Sequence, residues 1–256
     1  MGCVDGKVLQ IGLRVPTKPK IGFEFDLAED VTCLQVLNEQ YLFCGQAKGL
    51  INIIEIKTRT CKGVYELPHA EKKADVYEIR LVKKPDLYAV ATRYGLFMVK
   101  IEKQREKFVF NTVSQHFTSK KEKDNLEMLS LGYLGGSLVL FGFRRDEYLY
   151  VFDIERREIQ GRLKIPLLGN APYRLISLED FRGNRDAPCK HYIIQGDTGV
   201  QFIDMENYEH QTILEMPFGK GGLWVGLENG SKTLRLCTNE KRERKRKYLE
   251  IEVPLD

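Results

Sequence analysis

Histidine is the side chain best suited to metal binding and to proton transfer near neutral pH. This sequence of 256 residues has four histidines, at positions 69, 116, 191 and 210. A three-histidine metal centre would therefore need nearly all of them, although they are far apart in the chain. The sequence also lacks a G-x-S-x-G nucleophile elbow, an H-E-x-x-H pair, a phosphate-binding loop and a dinucleotide fingerprint. We predict no catalytic residue, no metal ligand, no bound cofactor and no enzymatic activity.

Two other patterns could be mistaken for catalytic or anion-binding sites. Asp153 and Asp204 each follow an apolar run, and we interpret them as caps of turns through side-chain hydrogen bonds, not as a catalytic carboxylate pair. The glycine pairs and clusters at 135–136 and 219–222 expose backbone N–H groups, which can bind anions. No helical pattern follows either of them, so we predict strand connections with positive φ.

The six cysteines are Cys3, Cys33, Cys44, Cys61, Cys189 and Cys237. No two have C-x-x-C spacing, which disfavours a zinc site. Cys33 and Cys44 lie in apolar runs and are interpreted as small buried hydrophobic residues. We predict a reduced, intracellular and cytoplasmic protein with no transmembrane segment and no secretory signal, and a nuclear location stays open. Acylation at Gly2 or Cys3 also stays open, although Gly6 occupies the position where the motif has Ser or Thr.

The basicity of the chain is concentrated in one segment. The formal net charge is +4, whereas residues 241–247, KRERKRK, alone carry six cations and one anion. A phosphate-rich partner such as RNA, an anionic membrane, a nuclear-import receptor or plain solvation of a loop would each suit this segment. Trp224, the single tryptophan, is either an interface anchor or a core residue. The predicted partner-binding residues are Lys241, Arg242, Arg244, Lys245, Arg246, Lys247 and Trp224.

A repeated pattern supplies the elements that would position these residues. Four copies of a hairpin pattern, two β-like runs joined by a turn, begin at Tyr41, Leu87, Leu138 and His191. Their turns centre near positions 49, 95, 147 and 199, so they are 46, 52 and 52 residues apart. Each hairpin is rich in Val, Ile, Phe and Tyr and is flanked by one further β-like segment on each side. Four strands per unit of this length are typical of a β-propeller blade.

The third run of two units ends in Phe152-Asp153 and Ile203-Asp204, and Ile54-Glu55 and Val99-Lys100 are weaker versions. These pairs occupy the position at which WD-repeat propellers have Trp-Asp, and His69 lies where their Gly-His pair begins a blade. The sequence therefore resembles a degenerate WD-repeat propeller over most of its length, without a true Trp-Asp or Gly-His pair. The citron-homology type of propeller is the competing resemblance.

The resemblance implies an all-β propeller, and counting the hairpin patterns of the sequence predicts about six four-stranded, blade-like units, the first and last incomplete. Residues 1–256 would form one domain that closes on itself, or a piece of a longer propeller or chain, or a unit closed by another subunit. The implied function is a non-enzymatic protein-interaction scaffold within a larger intracellular complex. The loops at 116–125 and 179–190 and the basic segment would face partners. The alternatives are an RNA- or phosphate-binding propeller subunit that uses residues 241–247, and a citron-homology-type regulatory propeller.

Overall fold

A computed structural model describes residues 5–12, 20–37, 40–68, 75–83, 86–93, 95–116, 128–143, 146–165, 174–181, 187–195, 199–215, 223–227, 233–240 and 245–252. Regular structure in these ranges is almost entirely β. Besides strands they contain a 3-10 turn, Ala47–Gly49, and a short helix, α1 (Leu178–Phe181). The chain divides into two compact units, Met1–Leu131 and Gly132–Asp256.

The first unit contains a two-stranded sheet, two four-stranded sheets and the start of a further strand. The two-stranded sheet pairs β1 (Lys7–Gly12) with β2 (Lys20–Asp26). Blade 1 consists of β3 (Val31–Leu37), β4 (Tyr41–Gln46), β5 (Leu50–Glu55) and β6 (Thr60–Glu66). Blade 2 consists of β7 (Val76–Lys83), β8 (Leu87–Thr92), β9 (Gly95–Gln104) and β10 (Lys107–His116). Neighbouring strands are consecutive in the chain and antiparallel.

The boundary between the units falls within β11 (Met128–Gly135), the first strand of blade 3. The other strands of blade 3 are β12 (Leu138–Phe143), β13 (Tyr148–Asp153) and β14 (Glu158–Lys164). Blade 4 consists of β15 (Arg174–Ser177), β16 (His191–Gln195), β17 (Gly199–Asp204) and β18 (Glu209–Glu215). A last, three-stranded sheet contains β19 (Leu223–Leu227), β20 (Thr233–Glu240) and β21 (Lys245–Glu252).

The all-β architecture with four-stranded blades is confirmed, but the predicted number of about six such blades is wrong. Among the described residues four sheets have four strands, while the first sheet has two and the last has three. The error has a physical cause. An apolar hairpin identifies only two strands, and the number of further strands that pair with it depends on segments whose sequence pattern is weaker.

Burial explains why the middle strands of a blade look different from the outermost strand. All six residues of β4 are buried, as are the four central residues of β5, because both faces of these strands are covered. Strands covered on both faces have continuous apolar sequences. The outermost strand β10 instead alternates between exposed and half-buried positions over most of its length, and its exposed positions include Val109 and Val113.

Apolar side chains of blades 1 and 2 form one core within the first unit. Its members are buried residues of both sheets, with partly buried aromatic residues of β6 and β10 packed against them. The rings of Tyr65 and Phe110 stack with centroids 4.9 Å apart, and their planes are parallel to within 1°. The Thr32 hydroxyl donates to the Val76 carbonyl oxygen at 2.5 Å, which ties β3 to β7. The two blades are therefore held together by packing and by polar contacts.

Candidate interaction site

A cleft of about 430 Å³ lies between blades 1 and 2. Its walls are formed by residues at the ends of strands. These residues lie next to the hairpins that connect the first strand of a blade to the second and the third strand to the fourth. Because alternate hairpins of an antiparallel meander lie at the same end of the sheet, residues far apart in sequence meet there. The apolar walls are formed by Leu37, Tyr41, Tyr88, Ile101 and Phe108. The polar groups of the lining belong to Asp86, Glu102, Lys103 and Gln104.

The aromatic walls of the cleft are fixed by packing. Tyr41 meets Phe108 edge to face with ring centroids 4.9 Å apart. Behind them, fully buried Phe43 packs against Tyr88 at 5.2 Å and against Phe108 at 6.4 Å. Aromatic pairs in such tilted or edge-to-face arrangements stabilise one another beyond the area they bury. The walls are therefore already in place before any partner arrives.

Lys103 carries the charge most available to a ligand of the cleft. Its ammonium donates a hydrogen bond to the Tyr41 hydroxyl at 2.5 Å and lies 5.0 Å from the centroid of the same ring. That hydrogen bond raises the pKa of Lys103 above its usual value, and the carboxylates of Glu55 and Glu106 add to the effect against the opposing effect of burial. Lys103 forms no ion pair with a carboxylate in the described part of the chain.

The two carboxylates of the lining share another cation. The ammonium of Lys100 lies 3.4 Å from Asp86 Oδ2 and is hydrogen-bonded to Glu102 Oε1. The hydrogen bond from Lys100 holds the pKa of the Glu102 carboxyl below its ordinary value, and the same bond raises the pKa of Lys100. Lys100 therefore engages the carboxylates of both Asp86 and Glu102, whereas none of the described carboxylates forms an ion pair with Lys103.

The partner-binding residues predicted from the sequence lie in the three-stranded sheet or outside the described residues. Lys241, Arg242 and Arg244 fall outside them. Lys245, Arg246 and Lys247 begin β21, so this half of the basic segment belongs to a strand and not to a loop. The backbone register aligns Trp224 with Cys237 and Cys237 with Tyr248, next to Lys247. The register thus brings Trp224 and the end of the basic segment to the same part of one sheet.

The interpretation of Asp153 and Asp204 as caps of turns is confirmed. Asp153 Oδ1 accepts from the backbone N–H groups of Glu155 at 2.9 Å and Arg156 at 3.1 Å. Asp204 Oδ1 accepts in the same way from Glu206 at 2.8 Å and from Asn207 at 3.3 Å. Each aspartate ends the third strand of its blade and satisfies the donors of the turn that follows.

Positive φ at the first glycine pair is confirmed as well. Gly135 and Gly136, at the turn between β11 and β12, have φ of 114° and 58°. The glycine cluster at 219–222 and His69 lie outside the described residues. Residues 117–125 of the first predicted loop lie outside them too, and His116 itself is the last residue of β10. In the second predicted loop, residues 179–181 belong to α1 and residues 182–186 fall outside the described residues.

Four of the six cysteine side chains are described by the structure. Cys33, Cys44, Cys61 and Cys189, the cysteines described, are free, and burial raises the pKa of Cys44 to about 12. The interpretation of Cys44 as a small buried hydrophobic residue is confirmed. Cys33, for which the same was predicted, is only partly buried. No metal-binding group of three or more His, Cys, Asp or Glu side chains occurs among the described residues. In the same part of the chain, no helix combines the length and apolar character needed to span a bilayer.

Comparison with solved structures finds WD40 β-propellers. The WD40 β-propeller domain of Doa1 has a TM-score of 0.66 and 10% identity, and the match covers 99% of this chain and 74% of that chain. Sqt1 of Saccharomyces cerevisiae has a TM-score of 0.64 and 12% identity over 99% and 68% of the two chains. U3-55K has a TM-score of 0.61 and 14% identity over 98% and 77%. The fold is therefore that of a WD40 β-propeller, as the degenerate motifs indicated.

Sequence comparison adds nothing to this assignment. No family model matches the chain, and the search of curated protein sequences found no match. Because the structural neighbours are so distant in sequence, they establish only the fold. The function has to be inferred from the site.

The cleft residues Tyr41, Lys103 and Phe108 were not predicted from the sequence. Tyr41 and Lys103 are 62 residues apart, and no local motif connects them. The only signal that could have found them is the repeat itself, since equivalent strand ends of neighbouring blades must meet. Their chemistry nevertheless suits recognition of another molecule: rigid aromatic walls supply apolar contact, and one ammonium supplies orientation.

Proposed function

We propose that this chain is a non-catalytic interaction platform, a subunit of a larger intracellular assembly in which residues 1–256 act as one propeller domain. Propellers host many unrelated functions, so the fold alone does not select this role. The observation that supports it is the packed cleft between blades 1 and 2, whose aromatic walls and Lys103 ammonium are suited to binding another molecule.

The energetics of the site favour binding without rearrangement. Ordering flexible side chains and loops at an interface opposes association, and a surface that is already packed avoids much of that cost. Tyr41 and Tyr88 are 5% and 2% exposed, so their rings are held in place by the core behind them. A partner would therefore meet a preformed surface, as expected of a scaffold.

The experiment that tests this role measures the size and composition of the native particle. The tagged chain is purified at low and physiological salt from cells that produce it naturally and analysed by size-exclusion chromatography with light scattering. The same chain made in bacteria serves as the monomer standard. We expect a particle larger than this standard that contains at least one other protein in fixed stoichiometry. A native chain that elutes as the monomer at both salt concentrations would contradict the proposal.

Binding of RNA or another phosphate-rich partner through residues 241–247 stays a prediction. Lys245, Arg246 and Lys247 lie in a strand, but no observation of the described residues favours a nucleic acid over a protein there. A regulatory function like that of a citron-homology-type propeller also stays a prediction.

A further inference from the structure

We propose that the cleft between blades 1 and 2 binds a short acidic segment of a partner protein, with an aromatic or large aliphatic side chain seated between the blades and a neighbouring carboxylate held by Lys103 and Tyr41. This inference rests on the proposed role as an interaction platform. It names the chemistry of the partner and the two residues that would select it.

The volume and walls of the cleft favour one large apolar side chain. A volume of about 430 Å³ is at the small end of the range for ligand pockets. The apolar and aromatic residues that line this space are Leu37, Tyr41, Tyr88, Ile101 and Phe108. Burial of an aromatic or aliphatic side chain against these groups removes apolar surface from water on both partners.

Two hydrogen-bond donors favour a carboxylate next to that side chain. The ammonium of Lys103 uses one of its three protons on the Tyr41 hydroxyl. Because this hydroxyl accepts from Lys103, its own proton is directed elsewhere and can be donated to a second acceptor. A carboxylate at this place would accept from both groups, and hydrogen bonds to a charged acceptor are about twice as strong as neutral ones.

The charges of the lining disfavour a basic occupant. Aromatic walls and two carboxylates would suit a cation in principle, but Lys103 already lies over the ring of Tyr41. Asp86 and Glu102 are both engaged by Lys100. Glu55 and Glu106, the carboxylates that act on Lys103 from a distance, both lie within 4 Å of Lys62, at 3.2 and 3.5 Å. A second cation in the cleft would therefore approach the Lys103 ammonium, which forms no ion pair with any carboxylate of the described residues.

The experiment uses a phage library of random sixteen-residue peptides selected on the full chain. Three variants are compared with the wild type. Lys103→Met removes the ammonium and keeps most of the length of the side chain, Tyr41→Phe removes only the hydroxyl, and Lys107→Met removes an exposed cation of β10 outside the cleft lining. Urea unfolding midpoints of the variants show whether each one is folded. Enriched peptides are then synthesised, and their affinities are measured by fluorescence anisotropy at low and physiological salt.

We expect enriched peptides to contain an aromatic or large aliphatic residue close to Asp or Glu. Affinity should fall about tenfold with Lys103→Met, less with Tyr41→Phe, and not at all with Lys107→Met. Replacement of the acidic residue of the peptide by its amide should weaken binding to the wild type and matter little for Lys103→Met.

Several results would overturn the proposal. These are enrichment of basic peptides, affinities insensitive to Lys103→Met, failure to enrich any peptide, or tighter Lys103-dependent binding of a uridine 20-mer or of phosphatidylserine vesicles. None of these results changes the expected size of the native particle. A failure of the peptide-binding proposal can therefore be distinguished from a failure of the proposed platform role.

Discussion

Gly132 shows how closely the inner strands of the second unit approach one another. A Cβ atom at this position would lie 2.7 Å from two ring atoms of Tyr192 and 2.8 Å from its hydroxyl oxygen. Tyr192 is fully buried, and its hydroxyl donates to the Tyr133 carbonyl oxygen at 2.9 Å. The ring thus lies directly over the glycine and cannot move away without breaking this hydrogen bond.

Gly132→Ala should therefore destabilise the protein by about 1–3 kcal/mol, since overpacking forces the ring or the backbone to shift. Gly161→Ala is the matched control, because a Cβ there would meet Tyr208 at 3.4 Å and beyond, which is ordinary contact. Urea denaturation followed by far-ultraviolet circular dichroism gives both free energies of unfolding. Equal stability of the two variants would show that Tyr192 does not confine Gly132.

At the scale of elements, the hairpin between the third and fourth strands has the same design in several blades. An acidic residue ends the third strand, and the last turn residue adopts a left-handed conformation, with φ of 56° at Arg59, 58° at Arg157 and 57° at Tyr208. In blades 3 and 4 the acidic residue is an aspartate that accepts hydrogen bonds from the amides of the turn. In blades 1, 3 and 4 a short turn of this kind therefore joins the third strand to the fourth.

Because Asp153 and Asp204 cap turns as ionised carboxylates, we expect the free energy of unfolding to decrease at acid pH. The Ser137 hydroxyl and the turn amides hold the pKa of Asp153 below its usual 3.8. Burial alone would raise the pKa of Asp204, but hydrogen bonds from Asn207 and Glu206 outweigh it and lower the pKa. Because both folded-state values are depressed, the stabilisation is complete above the unfolded value of about 3.8 and is lost as the pH falls through the lower folded values.

The measurement is the urea midpoint of the wild type and of the double variant Asp153→Asn with Asp204→Asn, recorded between pH 7 and pH 2.5. Asparagine accepts the same amide hydrogen bonds but does not titrate, so the variant should lose less stability below pH 4 than the wild type does. Parallel pH profiles of the two proteins would contradict the assignment of this titration to the caps.

At the scale of the whole molecule, the chain forms two compact units whose boundary falls inside β11. We expect residues 1–256 to unfold as one cooperative domain, because separating the units would require splitting a strand of blade 3 between them. Trp224, the single tryptophan, reports on the second unit through its fluorescence. Hydrogen exchange of the backbone amides of blades 1 and 2 reports on the unfolding of the first unit. Coincident urea transitions for both probes are expected, and two separated transitions would show two independent domains.

Much of the fold was predictable because its signals are local. Alternation in a strand, an apolar middle strand and a glycine at a tight turn are each recognised from a few consecutive residues. The glycine turn at 135–136 and the four hairpins could therefore be located from the sequence. The caps at Asp153 and Asp204 follow from the same short-range chemistry. The number of complete blades was not predictable, because strand pairing at the two ends of the chain depends on segments with weaker patterns.

The sequence by itself thus determined the β architecture, the four-stranded unit and the roles of its turn residues, since backbone periodicity and side-chain capping act within a single hairpin. Only the tertiary structure decided where a partner could bind. Tyr41, Lys103 and Phe108 come from different strands of two blades, and their rings and charges meet because the blades pack face to face. The repeat indicates which strand ends of neighbouring blades meet, but no local motif marks these three residues, because the distance between two blades is set by the side chains packed between them.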